Sequence, residues 1–433
     1  LLPYFITVSN IDSSDAQKVV DGNERVIRPR LTDAAFFFAQ DKQSTLAAQR
    51  ERLRSIVFQT DLGSIWDKTE RVAGLARTIG AELGADPALC ARAAQLSKSD
   101  LVSEMVLEFD ELQGVMGSYY ALNDGEDPAV AQALTEQYLP RQAGDALAQG
   151  KVGIALALAD RLDTLTGIGQ PPTGSRDPFA LRRAALGLLR TIIENELALD
   201  LQPLLEQAAN GHAKLAQRDT VVDSVRDYIF ERLRAWYGDA GIAVECFLAV
   251  QARRVTRPLD FHRRVRAVAG FTAMPEAAAL AAANKRVANI LAKQAPGDVP
   301  EGVDSALLRE PAEKALAAEL DQRVVLTRPL LADGDYAGVL RELAGLRARI
   351  EARPHAYVAQ EMVNLSQAPT WSRQHERRLL ARPVGLRAYA VVNADGGYSV
   401  MPGGLARVAT GASTRIISMQ RGGASKDTWV LTN

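Results

Sequence analysis

Apolar side chains recur at helical spacing through most of this chain, from about residue 43 to residue 350. One clear run lies between residues 68 and 83 and another between 155 and 165. Steps of three and four residues place these side chains on one helix face. They are Val72, Leu75, Ala76, Ile79, Leu83, Leu158, Leu162 and Leu165. A chain of 433 residues has room for two to four domains, and the pattern predicts a mostly α fold.

The same reasoning predicts further helices along the chain. Asp177-Pro178 is a favourable helix start, because Asp caps helix N-termini and Pro suits the first helical position. The other predicted helices cover about 218–237, 243–254, 275–293, 309–325 and 336–350.

The first 42 residues lack the helical pattern. Tyr4–Ser9 is rich in β-branched and aromatic residues and predicts a strand. Residues 22–31, GNERVIRPRL, contain Pro29, which disfavours the α region at Arg28, so we expect this segment to be extended or turning.

Three arginines alternate in GNERVIRPRL and would share one face of an extended segment. They could meet RNA or a partner subunit, or they could bridge to carboxylates of neighbouring helices. These arginines are Arg25, Arg28 and Arg30.

After Glu351 the helical pattern gives way to a β pattern. Residues 382–392, RPVGLRAYAVV, alternate in the manner of a strand, and the following NADGGY at 393–398 is a hairpin-type turn. The sequence therefore predicts a small β-rich segment at residues 351–433.

Overall charge does not indicate a nucleic-acid partner, since the chain has 51 basic and 52 acidic residues. The two cysteines and four histidines are scattered along the chain. The sequence therefore predicts neither a disulfide framework nor a histidine-rich metal site. No apolar run approaches the roughly 20 residues of a membrane span. We expect a cytoplasmic protein with no membrane association.

Local charge is different, because residues 251–266 form a basic stretch with Asp260 as its one acidic residue. Arginine binds phosphate oxygens through a bidentate fork, although a solvated helix face with internal salt bridges has the same composition. The basic residues are Arg253, Arg254, Arg257, Arg263, Arg264 and Arg266, with Lys285 and Arg286 on the next predicted helix.

Three aspartates in the helical region are candidates for metal ligands. Asp100 lies in LSKSDLVSEM, and Asp160 and Asp163 are three residues apart on one predicted helix. Catalytic transition metals need further ligands, usually histidine, and no histidine occurs between residues 60 and 200. We predict no metal site here and favour a helical scaffold with solvated or capping carboxylates.

The Gly- and Pro-rich segment 166–183 precedes a helix, whose N-terminus could hold an anion. The segment lacks the lysine and spacing of a P-loop. A rigid loop between helices is the favoured interpretation.

Three strings are more specific than these patterns: GNERVIRPRL at 22–31, GIGQPPTGSRDPFALRRAALG at 167–187 and ANKRVANILAK at 283–293. Together they resemble the beta subunit of the bacterial two-subunit glycyl-tRNA synthetase, in order from Leu1 to about Ala344 and truncated at both ends. The resemblance implies the end of an N-terminal body domain at 1–42. It also implies a helical, degenerate His-Asp-type domain at 43–215 and a truncated, helical anticodon-binding-like domain at 216–350.

The tail resembles the closing part of a circularly permuted ATP-grasp protein. The strings that carry this resemblance are EMVNLSQAPTW (361–371), RPVGLRAYAVV, YSVMPGGLARVA (398–409) and SMQRGGASKDTWVL (418–431). An ATP-grasp site needs two lobes, so a β-rich remnant without ATP binding is the favoured interpretation. In a complete protein, phosphate contacts would come from Arg387, Arg407, Arg421 and Lys426.

The first resemblance implies a glycine-tRNA ligase, an assembly of alpha and beta subunits with ATP and magnesium as cofactors. In that family the alpha subunit holds the aminoacylation site, so we expect no catalytic residue and no ATP bound by this chain alone. The expected partners are glycine tRNA and the alpha subunit. The expected tRNA contacts are Arg253, Arg254, Arg263, Arg264, Lys285 and Arg286. The alternatives are an ATP-grasp carboxylate-amine ligase and a helical interaction module without an RNA role.

Overall fold

The chain divides into two compact units, the first formed by residues 1–282 and 309–352 and the second by the remainder. The computed structural model describes residues 4–10, 12–142, 144–169, 177–275, 277 and 308–352, together with six strands between residues 367 and 428. Helix dominates the described chain. The predicted mostly α fold is confirmed.

The first unit is built mainly from helices, with a small antiparallel hairpin, β1 (Val57–Gln59) and β2 (Gly63–Ser64), near its start. The helices are α1 (Ala16–Asp41), α2 (Leu46–Gln49), α3 (Ile65–Glu82), α4 (Pro87–Leu96), α5 (Glu104–Glu108), α6 (Val115–Asn123), α7 (Pro128–Glu136), α8 (Lys151–Ile168), α9 (Leu181–Glu194), α10 (Leu201–Gly211), α11 (Arg218–Asp239), α12 (Val244–Gln251), α13 (Pro258–Thr272), α14 (Pro311–Ala332) and α15 (Tyr336–Ala352).

Helix α8 is the centre of this unit, and its side chains are buried on nearly all sides. A helix that is apolar all round is stable only inside a protein core, and α3, α4, α7, α9 and α10 all pack against it. One hydrophobic core includes side chains from Leu46 to Val265. It therefore contains residues from both sides of the predicted boundary between residues 215 and 216. The predicted domain boundaries stay predictions.

Local signals explain where several helices begin. Ser64 and Asp67 form a reciprocal capping box at the start of α3. Asp86 and Asp127 accept backbone N–H bonds at the starts of α4 and α7, and a proline follows each of them at the first helical position.

The predicted start at Asp177-Pro178 is wrong in its position, because α9 begins at Leu181. Ala180 has a left-handed φ of 52°, so the helical conformation cannot extend N-terminally past Leu181. The Asp177 carboxylate nevertheless accepts the N–H groups of Leu181 at 2.8 Å and Arg182 at 2.9 Å. The aspartate therefore caps the helix from four residues away.

Most of the predicted helices are confirmed. Residues 68–83 correspond to α3 and residues 155–165 to α8. The remaining matches are α11 for 218–237, α12 for 243–254, α14 for 309–325 and α15 for 336–350. The predicted helix at 275–293 and the loop after it lie largely outside the described residues.

The prediction for the first 42 residues is wrong. Tyr4–Ser9 forms no strand, and GNERVIRPRL is helical throughout, inside α1, with Pro29 in the helix interior. A proline there removes one backbone hydrogen bond and crowds the carbonyl four residues earlier. Contacts distant in sequence outweigh this local cost.

Those contacts lie at the C-terminal end of α1. The buried Asp41 carboxylate accepts the backbone N–H groups of Glu104 (2.9 Å) and Met105 (3.0 Å) and the Tyr120 hydroxyl (2.7 Å). The Phe38 ring stacks on Tyr120, with centroids 5.8 Å apart. Because this end is fixed, the helix propagates toward its N-terminus at a low cost per residue.

The arginines of GNERVIRPRL accordingly do not share a strand face. Arg28 pairs with Glu24 at 2.6 Å, one helical turn away. Arg30 reaches Glu108 at 3.2 Å and lies over the Phe109 ring. For these two residues the carboxylate-bridging alternative is confirmed, whereas Arg25 forms no ion pair within the described part of the chain.

The second unit contains the predicted β-rich segment. An antiparallel sheet has the order β3 (Gln367–Trp371), β4 (Leu379–Arg387), β7 (Gly404–Val408), β8 (Ala424–Thr428). A separate hairpin pairs β5 (Ala390–Val392) with β6 (Tyr398–Val400). The hairpin flanks NADGGY, as the sequence predicts, although turn residues 393–397 lie outside the described residues.

Across the described ranges, no helix combines the length and the apolar character that a membrane span requires.

Two glycines of α3 give a test of the core packing. A Cβ on Gly80 would collide with Cys90 Sγ and lie 3.1 Å from Cys90 Cβ, whereas a Cβ on Gly74 would meet nothing within 4 Å. We predict that Gly80→Ala lowers the free energy of unfolding by about 1–3 kcal/mol through overpacking.

Gly74→Ala is the matched control, since it changes the same helix by the same atom. It should raise stability by up to about 1 kcal/mol, the helix propensity difference between the two residues. Urea denaturation of both variants measures these values, and equal effects would contradict the close approach of α3 and α4.

Candidate functional site: a buried ion cluster and a basic surface

The aspartates of α8 lie in a buried network of charges, which we call the Asp163 cluster. It combines Asp160 and Asp163 with four cationic or titratable side chains from three other parts of the first unit. These are Lys68 and Arg71 of α3, Lys98 after α4 and His212 after α10.

The Lys68 ammonium group is surrounded by oxygen atoms. Lys68 Nζ donates to the Asp163 carboxylate at 3.1 Å, the Thr164 hydroxyl at 2.7 Å and the Asp160 carbonyl at 3.2 Å. Asp160 Oδ1 lies at 3.2 Å from the same nitrogen. The ammonium group thus occupies a position lined by carboxylate, carbonyl and hydroxyl oxygens.

Asp163 is fully buried and has two further partners. Arg71 donates to both carboxylate oxygens, at 2.7 Å and 3.3 Å, and also holds the Leu62 carbonyl at 3.0 Å. His212 Nε2 lies 3.2 Å from Asp163 Oδ1 and 3.2 Å from the Asp163 carbonyl oxygen. One carboxylate therefore links α3, α8 and the end of α10.

Electrostatics keeps both carboxylates ionised. Burial alone would raise the pKa of Asp160, but Lys68 and Lys98 outweigh it and lower the pKa to about 2. Burial likewise opposes ionisation of Asp163, and Lys68, His212 and Arg71 together hold its pKa well below the ordinary value. The two aspartates in turn overcome the burial of Lys68 and raise its pKa.

Asp100 has a different role. Its buried carboxylate accepts the backbone N–H groups of Gly114 (2.5 Å) and Gly117 (3.1 Å) at the start of α6. Burial raises the pKa of Asp100 despite these hydrogen bonds. The capping interpretation is confirmed for Asp100, whereas Asp163 is fully buried, Asp160 is partly buried, and both are ion-paired.

The cluster disfavours metal chemistry for a physical reason. A divalent cation between Asp160 and Asp163 would have to displace the Lys68 ammonium and lie close to Arg71. Within the described part of the chain, no group of three or more His, Cys, Asp and Glu side chains is arranged to hold a metal ion. The arrangement is suited to holding helices together rather than to activating water.

The sequence analysis missed Lys68, Arg71, Lys98 and His212 as members of this cluster. His212 lies outside residues 60–200, and lysine and arginine are not metal ligands. The available signal was Lys68 and Arg71, three residues apart on one face of α3.

The described members of the predicted tRNA contacts lie in the turn after α12 and on α13. Arg253 and Arg254 are exposed in the turn after α12, and Arg254 has a left-handed φ of 49°. Arg263 is exposed on α13, close to Gly334 in the turn between α14 and α15. Among the described residues none of these three arginines forms an ion pair, so their guanidinium groups remain available.

Arg264 differs from its neighbour. It donates to Asp260 at 2.8 Å and to the Tyr336 hydroxyl at 2.9 Å, and its guanidinium group lies 4.3 Å from the Tyr336 ring centroid. Tyr336 also donates to Asp260. Arg264 therefore joins α13 to α15. Lys285 and Arg286 lie outside the described residues.

The other two sequence candidates show less. In segment 166–183 the Asp177 carboxylate lies at the N-terminus of α9, where an external anion would bind, and residues 170–176 lie outside the described residues. In the tail, Arg387, Arg407 and Lys426 belong to β4, β7 and β8, while Arg421 lies outside the described residues.

The Asp163 cluster yields a stability prediction. Asp163→Asn keeps the side-chain shape but leaves Lys68 and Arg71 buried without their shared counter-charge, which should cost about 3–5 kcal/mol of unfolding free energy. Asp61→Asn at an exposed turn is the control and should change stability by less than about 0.5 kcal/mol. Urea denaturation monitored by circular dichroism measures both. A loss below about 1 kcal/mol for Asp163→Asn would contradict the structural role.

The lowered pKa of Asp160 yields a pH prediction. Its folded pKa of about 2 lies below the ordinary 3.8, so the carboxyl group stabilises the fold above pH 3.8, and this contribution is lost as pH falls toward 2. The amount is on the order of 2 kcal/mol. Asp160→Asn should show a smaller loss across this window in urea titrations at stepped pH.

The pKa of Asp100 is raised, so its contribution to stability changes with pH in the opposite direction. Asp100 is present in both the parent chain and the Asp160→Asn variant, so this contribution cancels when their stabilities are subtracted. Parallel pH profiles for the two proteins would contradict the cluster electrostatics.

Comparison with known proteins gives two family matches. Residues 1–252 match the model of the glycyl-tRNA synthetase beta subunit, and residues 337–409 match the model of the circularly permuted ATP-grasp type 2 family.

Curated relatives agree with the first match. The chain is 54% identical over 354 residues to the glycine–tRNA ligase beta subunit of Marinobacter nauticus, covering 81% of this chain and 51% of the relative. It is 56% identical over 355 residues to the Chromohalobacter salexigens protein of the same name, covering 81% of this chain and 52% of the relative. It is 54% identical over 358 residues to that of Acinetobacter baylyi, covering 81% of this chain and 51% of the relative.

The chain spans about half the length of these relatives. The family model covers more than half of this chain. The chain belongs to the glycyl-tRNA synthetase beta subunit family.

Proposed function

We propose that this chain acts as part of a glycine–tRNA ligase beta subunit, which binds glycine tRNA and supports the ATP-dependent attachment of glycine by an alpha subunit. The observation that carries the proposal is the 54–56% identity to glycine–tRNA ligase beta subunits over 81% of the chain. We place this function in the cytoplasm. ATP and magnesium serve the assembled enzyme, and this chain alone binds neither.

The Asp163 cluster supports a binding role over a catalytic role. Its carboxylates are neutralised by Lys68, Arg71 and Lys98, so they are not poised to bind a metal or to accept a substrate proton. The cluster holds α3, α8 and the end of α10 in register. A rigid helical body of this kind can present arginines at fixed positions on its surface.

The tRNA contact that we propose uses the unpaired arginines of the basic stretch. Arg253, Arg254 and Arg263 are exposed, and a guanidinium fork matches the oxygens of a phosphodiester group. Such contacts position an RNA without reading its sequence. Lys285 and Arg286 extend the same proposal.

The ATP-grasp match favours a second candidate function, a carboxylate-amine ligase of that type. The match covers residues 337–409, and the described strands β3 to β8 lie in or near it. An ATP-grasp site needs two lobes around nucleotide and magnesium, and the match covers a single short segment. This candidate requires ATP binding by the isolated chain, which distinguishes it from the first.

The test is binding of glycine tRNA to the purified chain by fluorescence anisotropy at two salt concentrations, with ATP as a parallel ligand. We predict salt-dependent tRNA binding without ATP binding. Removing Arg253 or Arg263 as alanine variants should weaken binding about equally for all tRNAs. Each should also lower the salt slope by about one unit, because each contact releases about one counterion.

Arg77→Ala is the control, since Arg77 is exposed in the middle of α3, away from the basic stretch. Arg264→Ala is unsuitable alone, because Arg264 also joins α13 to α15. An unchanged salt slope in the double Arg253→Ala, Arg263→Ala variant would contradict the assignment of these contacts. ATP binding without tRNA binding would favour the second candidate.

A further inference from the structure

A groove between α9 and α11 carries a concentration of arginine that the basic stretch does not include. It has a cavity volume of about 530 Å³. Its lining residues come from the start of α9 and the C-terminal half of α11 and are Arg182, Leu186, Glu231, Arg232, Arg234 and Ala235. We call it the arginine groove.

The positive charges of this groove exceed its negative charge. Glu231 is the acidic lining residue, and it lies 3.3 Å from Arg234, in a pair whose members are both substantially exposed. Such a pair holds its partner weakly. Arg232 adds a second guanidinium group to the walls. An anion entering the groove would therefore meet net positive charge.

Arg232 is held in place by a ring. Its guanidinium group lies 4.8 Å from the Tyr228 ring centroid. Within the described part of the chain, Arg232 Nε and the Tyr228 hydroxyl are both buried and make no hydrogen bond. A phosphate oxygen in the groove would therefore meet the terminal nitrogens of the Arg232 guanidinium group and not its shielded Nε.

The groove leads toward the basic stretch. The Gln251 side chain donates to Glu231 at 3.3 Å, so the end of α12 lies against the wall of the groove. Arg253 and Arg254 follow Gln251 by two and three residues. One extended polyanion could therefore contact the groove and these arginines in succession.

RNA suits this arrangement better than an acidic peptide. Guanidinium groups bind phosphate oxygens in a bidentate manner, and an arginine stacked on tyrosine gives a flat surface of the kind on which unpaired bases stack. An acidic peptide would use the charges but not the flat surface.

We propose that the arginine groove is a second contact for the RNA backbone, in which Arg232 and Arg234 bind phosphodiester oxygens. This inference rests on the proposed tRNA-binding function and extends it from the α12–α13 region to the α9–α11 face. No covalent step is involved. The contact is to phosphate, so it applies to tRNAs of any specificity.

The test uses the full chain and its Arg232→Gln, Arg234→Gln double variant, with Arg77→Gln as the matched control on α3. Binding of two transcripts, glycine tRNA and a tRNA for another amino acid, is measured by fluorescence anisotropy across a salt series. We expect the double variant to bind both tRNAs roughly ten-fold to thirty-fold more weakly. Its salt slope should be lower by about two units, and the control should match the parent chain.

The outcomes separate this inference from the function on which it rests. If the parent chain binds tRNA and the double variant equals the control, the groove is overturned and the proposed function stands. If the parent chain binds neither transcript at any salt concentration, both are overturned. If a poly-glutamate peptide binds the parent chain but not the double variant, while tRNA affinity is the same in both, the groove accepts acidic peptides instead.

Folding of the variants is checked by circular dichroism and thermal unfolding. Should the double variant fail to fold, Arg234→Glu alone serves the test, because the Arg234 side chain is 53% exposed. Charge reversal there should weaken binding more than Arg77→Glu does. Equal effects of the two reversals would overturn the proposal.

Discussion

The buried carboxylate of Asp163 is the contact on which the helical unit most depends. It lies on the central helix α8 and accepts hydrogen bonds from Lys68, Arg71 and His212, which come from α3 and from the end of α10. Burying these charges costs several kcal/mol for each ion, and favourable contacts must offset this cost. The offsetting contacts are a bidentate arginine and an ammonium group that is surrounded by oxygen atoms. The network fixes α3, α8 and the end of α10 relative to one another.

The helical core was predictable because its information is local. Steps of three and four residues identify α3 and α8. The same local logic failed at α1, where Pro29 indicates a break. The reason is Asp41, whose carboxylate bonds to residues more than 60 positions away and fixes the end of the helix. A contact at that separation leaves no periodic trace in the sequence.

The candidate site divides in the same way. The carboxylates Asp100, Asp160 and Asp163 could be selected from the sequence by residue type and spacing, but their partners could not. Lys68 is 95 residues from Asp163, and His212 is 49 residues from it on the other side. Three aspartates in a helical region are compatible with a metal site, with helix caps or with a salt-bridge network. Only the packing of α3 and α10 against α8 distinguishes the salt-bridge network from the other two.

Arginine count and arginine pairing describe the basic stretch differently. Arg263 and Arg264 are adjacent in sequence, yet Arg264 is engaged by Asp260 and Tyr336 while Arg263 is exposed without an ion pair in the described part of the chain. Arg226 and Arg323 are likewise each bound by two carboxylates. A chain with formal net charge −1 can still bind a polyanion if folding uses its carboxylates internally and leaves some arginines unpaired. What matters is which charges the fold neutralises and which it leaves exposed.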